Sequence, residues 1–230
     1  MNILAFDIST NTLSIALEKD DNSIIEIYKE NIKNQNEELL PTLNNFLKSN
    51  DISLNNILYI ALGIGPGSFT ALRIAFATIK TICYAKNIPI IGVPSLEVLY
   101  QNIKEYNGIK ACMIDARKGS IYADIYYNEK KIKENLDVTY QEFIDIIKNI
   151  NNNNDYITLC GYGFCNNIDF FTNSLQNIKK LDNSYHKIKV SNTIILSKLK
   201  YNKKQFDDVF SLLPLYIRKS EAENKKNLLN

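Results

Sequence analysis

Three glycines and a proline fall within the five residues Gly63-Ile64-Gly65-Pro66-Gly67, and Ser68-Phe69-Thr70-Ala71-Leu72-Arg73 follows at once. Glycine permits positive φ and close backbone approach, proline fixes one φ, and serine is a good helix N-cap. A helix opened in this way offers unpaired N–H groups to an anion, so phosphate binding is the first chemistry to test. The familiar phosphate loops do not fit. A P-loop needs Lys directly after its last glycine, whereas Ser68 follows Gly67 and the next lysine is Lys80. A dinucleotide fingerprint needs its third glycine three residues after the second, and Gly67 comes two after Gly65. The other reading of the turn is close packing of a helix on a strand.

Acid–base and metal chemistry find little to work with elsewhere. The one histidine, His186, lies in the polar stretch Ser184-Tyr185-His186-Lys187 and reads as a surface residue; any Ser/His/Asp arrangement would have to use it. Cys83, Cys112, Cys160 and Cys165 are scattered, mostly in apolar segments. Cys160 and Cys165 have no second pair at zinc spacing, so no metal is expected, and buried reduced thiols in the cytoplasm are. Asp7 ends the first apolar run, and Asp115 ends a similar one, with Arg117 close behind as an expected ion-pair partner. The net charge of +2 comes from 27 basic and 25 acidic side chains, and only Arg73, Arg117 and Arg218 are arginines. That balance lacks the basic stripe of a protein that grips nucleic acid alone. Lys203-Lys204, Lys219 and Lys225-Lys226 make the C-terminal end basic, either as a solvated tail or as an RNA contact.

The elements that must position these groups alternate between sheet and helix. Asn2–Phe6, Leu13–Leu17 and Ile24–Tyr28 read as a three-stranded meander. Leu39, Leu40, Leu43, Phe46 and Leu47 then follow the spacing of one helical stripe, with Pro41 near its first turn. The strand Ile57–Leu62, the glycine turn and a helix from about Ser68 to Lys86 come next. That helix is apolar nearly all round, so it needs partners on more than one side. Ile88–Val93 reads as a strand and Ser95 as the cap of a helix to about Lys104. The pattern then repeats about 108 residues on: Ala111-Cys112-Met113-Ile114-Asp115 echoes Ile3-Leu4-Ala5-Phe6-Asp7, with an alternating strand, a third strand and a helix at about 140–150 behind it. A further strand at 156–160 and a last helix at about 193–201 complete the chain, with a frayed end beyond Lys219. The expected fold is α/β, two duplicated lobes with mixed central sheets, residues 1–105 and a smaller lobe of residues 106–230. No apolar run reaches 18 residues, so no membrane span is expected, and the N-terminus reads as a strand, not an export signal.

Two such lobes, each with Asp closing its first strand, resemble the actin/sugar-kinase/Hsp70-like superfamily, with its ribonuclease-H-like halves. Within it, Gly65-Pro66-Gly67-Ser68-Phe69-Thr70-Ala71-Leu72-Arg73-Ile74 resembles the signature of the bacterial tRNA threonylcarbamoyladenosine biosynthesis family TsaB, also called YeaZ. Asp7-Ile8-Ser9-Thr10, Ile114-Asp115-Ala116-Arg117 and Pro214-Leu215-Tyr216-Ile217-Arg218 agree with further family segments, in order along the whole chain. Ala71 and Ala75 depart from the family's usual glycines, and Gln35 stands where relatives often carry His.

The resemblance implies a non-catalytic subunit, without cofactor, that supports a catalytic paralogue, TsaD. TsaD transfers threonylcarbamoyl to adenosine 37 of tRNA, with the ATPase TsaE as a further component and tRNA met through the complex. In that superfamily the first-strand Asp orders metal-bound water beside a phosphate turn with glycine and a basic residue. Here Ser9 replaces the glycine, and no Lys or Arg lies between Asp7 and Lys19, a poor phosphate site. A small-molecule kinase or peptidase-like hydrolase of the same superfamily is the alternative. The family pairs through two helices, in homodimers as well. The resemblance therefore implies an interface of Leu39, Leu40, Leu43, Phe46 and Leu47 on the first helix and Leu72, Phe76, Ile79 and Cys83 on the second. The alternative is that both stripes simply cover their own sheet.

Overall fold

The computed structural model describes residues 2–10, 12–30, 32 and 35–218, with the backbone alone for Gln35 and Asn36. Expectations for Lys219, Lys225-Lys226 and the frayed end, and for the Gln35 side chain, fall outside the described residues. The described residues form two compact units, one within Met1–Asn102 together with Ile188–Pro214, the other Ile103–Lys187 together with Leu215–Arg218.

In the first unit, β1 (Asn2–Asp7), β2 (Leu13–Glu18) and β3 (Ile24–Lys29) form the antiparallel meander, and alternation sends Leu4, Phe6, Ile15 and Leu17 to one face. After α1 (Gln35–Ser49), β4 (Ile57–Gly63) pairs parallel to β1. After α2 (Phe69–Lys86), β5 (Ile90–Val93) pairs parallel to β4, giving the order β3-β2-β1-β4-β5. Parallel neighbours need a crossover, and α1 and α2 supply it. Ser68 caps α2 by accepting the N–H of Ala71, and Asn87 ends it in the left-handed region with φ 52°. The helix α3 (Ser95–Ile103) follows β5.

The second unit repeats the plan. Strands β6 (Ile109–Asp115), β7 (Ser120–Tyr127) and β8 (Lys130–Thr139) form a meander, and β9 (Ile157–Cys160) pairs parallel to β6 after α4 (Tyr140–Ile150), in the order β8-β7-β6-β9. A capping box between Thr139 and Glu142 starts α4. Short helices α5 (Tyr162–Cys165) and α6 (Ile168–Ser174) follow, and a parallel bridge from Ile157 to Ile178 stands where the first unit has β5.

The last helix, α7 (Val190–Asn202), corrects the division at residue 105. It packs on the first unit's sheet, against β1, β2, β4 and β5. Ala5, Ala16 and Ala61 stand in one register row on the face away from Leu4 and Phe6, and three methyl-sized side chains let a helix come close. Tyr59, two residues before Ala61, stacks on Tyr201 of α7 at 4.9 Å and shares a hydrogen bond with the Ser197 hydroxyl at 3.1 Å. Burial pushes the Tyr59 phenol up to about 12. At the start of α7, Glu26 accepts the N–H of Ser191 at 3.0 Å, a carboxylate placed where the helix dipole favours it. Lys198 pairs with the buried Glu18. The sheet is therefore helix-covered on both faces.

Candidate functional site

The glycine turn and the loop after β1 are one structure. Asp7 is buried, and both carboxylate oxygens are occupied by its own chain. Oδ1 accepts the Ser9 N–H at 2.8 Å and the Ser9 hydroxyl at 2.6 Å; Oδ2 accepts the Ser95 hydroxyl at 2.6 Å. Ser95 in turn accepts the Gly65 N–H at 3.2 Å and gives its own N–H to the Gly65 carbonyl at 2.9 Å. The Ser9 carbonyl accepts the Ser68 N–H at 2.8 Å, so the N-cap residue of α2 is tied to the loop after β1. Gly65 has φ 94°, a left-handed conformation that favours glycine, and its bond to Pro66 is cis.

Two glycines are required by proximity instead. A Cβ on Gly63 would lie 2.0 Å from Asp7 Oδ2, and one on Gly67 would lie 2.0 Å from the Ser9 carbonyl oxygen. The close-packing reading of the turn is the one the structure realises. Arg73, the motif's basic residue, lies exposed with its guanidinium 3.9 Å from the Phe69 ring centroid. Thr10 is half-buried in the same loop.

Burial raises the Asp7 carboxyl above its ordinary 3.8, against the opposing hydrogen bonds from Ser9 and Ser95. Between 3.8 and the raised value, the folded protein holds a proton that the unfolded chain has released. Stability therefore falls as pH rises through that window and stays low above it. Asp7→Asn should lose this slope, so the stability difference between variant and wild type should change across that window, read as urea midpoints at a series of acidic pH values.

In the second unit the corresponding turn is open. Asp115 accepts the backbone N–H of Arg117 at 2.7 Å, a local turn; among the described residues no Asp115–Arg117 ion pair forms, which corrects that expectation. Arg117, Lys118 and Gly119 have φ of 61°, 52° and 74°, and the backbone turn points the Arg117 side chain outward. Asp137 takes an arginine instead: Arg218 grips it with two donors, one from Nε at 2.8 Å, and Nη1 reaches the Ala116 carbonyl at 3.4 Å. His186 is also corrected. It is buried against the Phe164 ring at 5.6 Å, with Nδ1 unpartnered, and burial lowers its pKa. Its short 3-10 turn, residues Asn183–His186, folds a polar stretch inward. No cluster of three metal-ligating side chains occurs among the described residues. No described helix is long and apolar enough to cross a membrane.

The two-helix stripes sit differently from the expected interface. Leu39, Leu43, Phe46, Leu47, Phe76, Ile79 and Cys83 belong to the core that includes Leu4, Phe6, Ile60 and Leu62, and Leu72 is fully buried too. Of the expected set only Leu40, 51% exposed, faces outward. The physical reason is that α1 and α2 cover the same sheet face and also pack on each other. Ala71 and Ala75 are buried in this core, and Ile74 and Ile82 lean on its rim, which uses up the second helix's extra apolar residues. The Cys83 thiol is pushed up to about 12 by burial.

Sequence reasoning missed Ser95, which reads locally as an ordinary helix cap. Nothing within its segment reveals a partner 88 residues away.

Comparison with known proteins follows the same outline. The model of the family described as "TsaD: tRNA N6-adenosine threonylcarbamoyltransferase" matches residues 27–226. The "tRNA threonylcarbamoyladenosine biosynthesis protein TsaB" of Bacillus subtilis is 28% identical over 98% of this chain and 97% of its own length. The crystal structure of YeaZ from Pseudomonas aeruginosa superposes with a TM-score of 0.73 at 21% identity, covering 94% of this chain and all of that one. A Bacteroides thetaiotaomicron protein described as having an actin-like ATPase fold superposes with a TM-score of 0.51 at 11% identity, over 84% of this chain and 95% of that one.

Proposed function

Because the chain belongs to the TsaB (YeaZ) family, within reach of the TsaD family model and in the actin-like ATPase superfamily, we propose that it is the non-catalytic subunit that supports threonylcarbamoylation of adenosine 37 in tRNAs reading codons that begin with adenine. In this reading it pairs with the catalytic paralogue TsaD, works with the ATPase TsaE, and forms a homodimer when alone. The observation that carries the reading is the closed arrangement around Asp7. A carboxylate that serves a nucleotide presents its oxygens to a metal or a metal-bound water. Here those oxygens are held by Ser9 and Ser95, and the turn has no cation to meet a phosphate. Function then rests on a surface.

The pairing surface that fits is the outward side of the same two helices. Leu40, Pro41, Asn44 and Lys48 on α1 and Thr70, Arg73, Ala77 and Thr81 on α2 are exposed. Ala77 and Thr81, one turn apart, leave room for a partner helix to approach closely, and two helices from each chain would complete a four-helix bundle. Ala77→Glu should leave the chain folded and weaken pairing with TsaD by about 2 kcal/mol or more, roughly thirtyfold. Calorimetric titration checks this; a folded Ala77→Glu chain that pairs as tightly as wild type removes the face from the account.

A further inference from the structure

Exposed apolar side chains of the first unit lie near the C-terminal end of α2 and along the segment that follows α7. Tyr84 is 66% exposed, Phe210 71%, Leu213 69% and Phe206 44%. Tyr84 and Phe210 meet edge to face at 5.3 Å, and Phe206 meets Tyr201 edge to face at 5.6 Å.

The arm that carries three of them is firmly tied down. Asp207 gives its N–H to the Ile90 carbonyl at 3.0 Å and accepts the Gly92 N–H at 2.7 Å. Asp208 accepts the N–H groups of Phe210 and Ser211 at 3.1 and 2.8 Å. The Lys80 ammonium donates to the carbonyls of Phe210 and Leu212 at 3.0 and 2.8 Å. Val209 and Leu212 turn inward onto the core, so covering the sheet edge occupies those two and leaves Phe210 and Leu213 outside.

Three lysines flank these rings along the chain. Lys203 and Lys204 directly follow α7 and precede Phe206 by two to three residues, and Lys86 lies two residues after Tyr84; all three are exposed. Among the described residues none of the three ammonium groups has an ion-pair partner. The two nearby acids, Asp207 and Asp208, are engaged by backbone N–H groups. Protein-binding surfaces are depleted of lysine relative to the rest of the surface, whereas flat rings beside lysines are the usual platform for unpaired bases and their phosphates.

We infer that this surface contacts RNA directly, with Lys203 and Lys204 on phosphates and Phe210 and Tyr84 against unpaired bases. That the RNA is tRNA rests on the function proposed above.

The test is fluorescence anisotropy of an unmodified tRNA transcript with the purified full chain, no other protein present, across a salt series. Wild type should bind with a salt-dependent Kd on the order of 10⁻⁴ to 10⁻⁶ M. Joint Lys203→Glu and Lys204→Glu substitution should weaken binding about tenfold or more and lower the slope of log K against log salt by about 1.5. Phe210→Ala should weaken binding about fivefold or more with the slope unchanged. Circular dichroism confirms folding of each variant. The inference is overturned if wild type does not bind, or if these variants bind as wild type does. It is equally overturned if Phe210→Ala spares RNA binding and abolishes pairing with TsaD, which would give the patch to a protein. Since RNA binding is read without a partner and pairing without RNA, failure of either leaves the other standing.

Discussion

Phe76→Glu should unfold the first unit. Phe76 is buried between α2 and the sheet, in one core with Phe46, Leu43 and Ile79. The substitution forfeits roughly 1.5–3 kcal/mol of apolar burial. It also leaves a carboxylate without a partner in an apolar interior, at a cost of several kcal/mol more. Together these rival the ~5–15 kcal/mol that holds a whole domain. Leu43→Glu should behave alike. Ala77→Glu, one position along on the solvent side, should shift stability by no more than about 0.5 kcal/mol. Far-ultraviolet circular dichroism with thermal melting separates the three. A folded Phe76→Glu chain that has merely lost its partners would restore the stripe to the interface and contradict the packing described here.

The second large effect belongs to Gly67→Ala. The added methyl would sit 2.0 Å from the Ser9 carbonyl oxygen, which also accepts the Ser68 N–H. Because the obstacle is backbone, the loop after β1 and the start of α2 must move apart, and the contact between them breaks. Overpacking and the lost hydrogen bond add to about 3 kcal/mol or more. Gly119→Ala is the control: its φ is 74°, with nothing within 4 Å of the new methyl, so only left-handed strain of about 1–2 kcal/mol applies. Urea midpoints rank the two, and equal destabilisation would mean that the turn does not lock the loop.

The contrast between these residues shows what could be read in advance. The helical stripe Leu39, Leu43, Phe46, Leu47 and the strand alternation of β1 to β3 are periodic, so their elements and buried faces were legible. Which surface a stripe meets is not a periodic property. The extra apolar residues of α2 suggested a partner chain, yet α1 and the rim of its own sheet absorb them. The helix α7 buries Val190, Thr193, Ile194 and Ser197, a mixed stripe whose fit depends on three alanines more than 120 residues earlier. Chain order alone placed it in the wrong unit. The glycine turn was legible as a turn, and its purpose was decided by Ser9 and Ser95, which reach it from two distant segments.

The central claim is that the chain serves tRNA threonylcarbamoylation through a surface and not through Asp7. Cells depleted of the chain and resupplied with wild type, Asp7→Asn or Ala77→Glu test it in one measurement, mass spectrometry of nucleosides from their tRNA. The account predicts that wild type and Asp7→Asn restore threonylcarbamoyladenosine, whereas Ala77→Glu leaves it absent. Loss of the modified nucleoside with an Asp7→Asn chain that folds and pairs normally would contradict it.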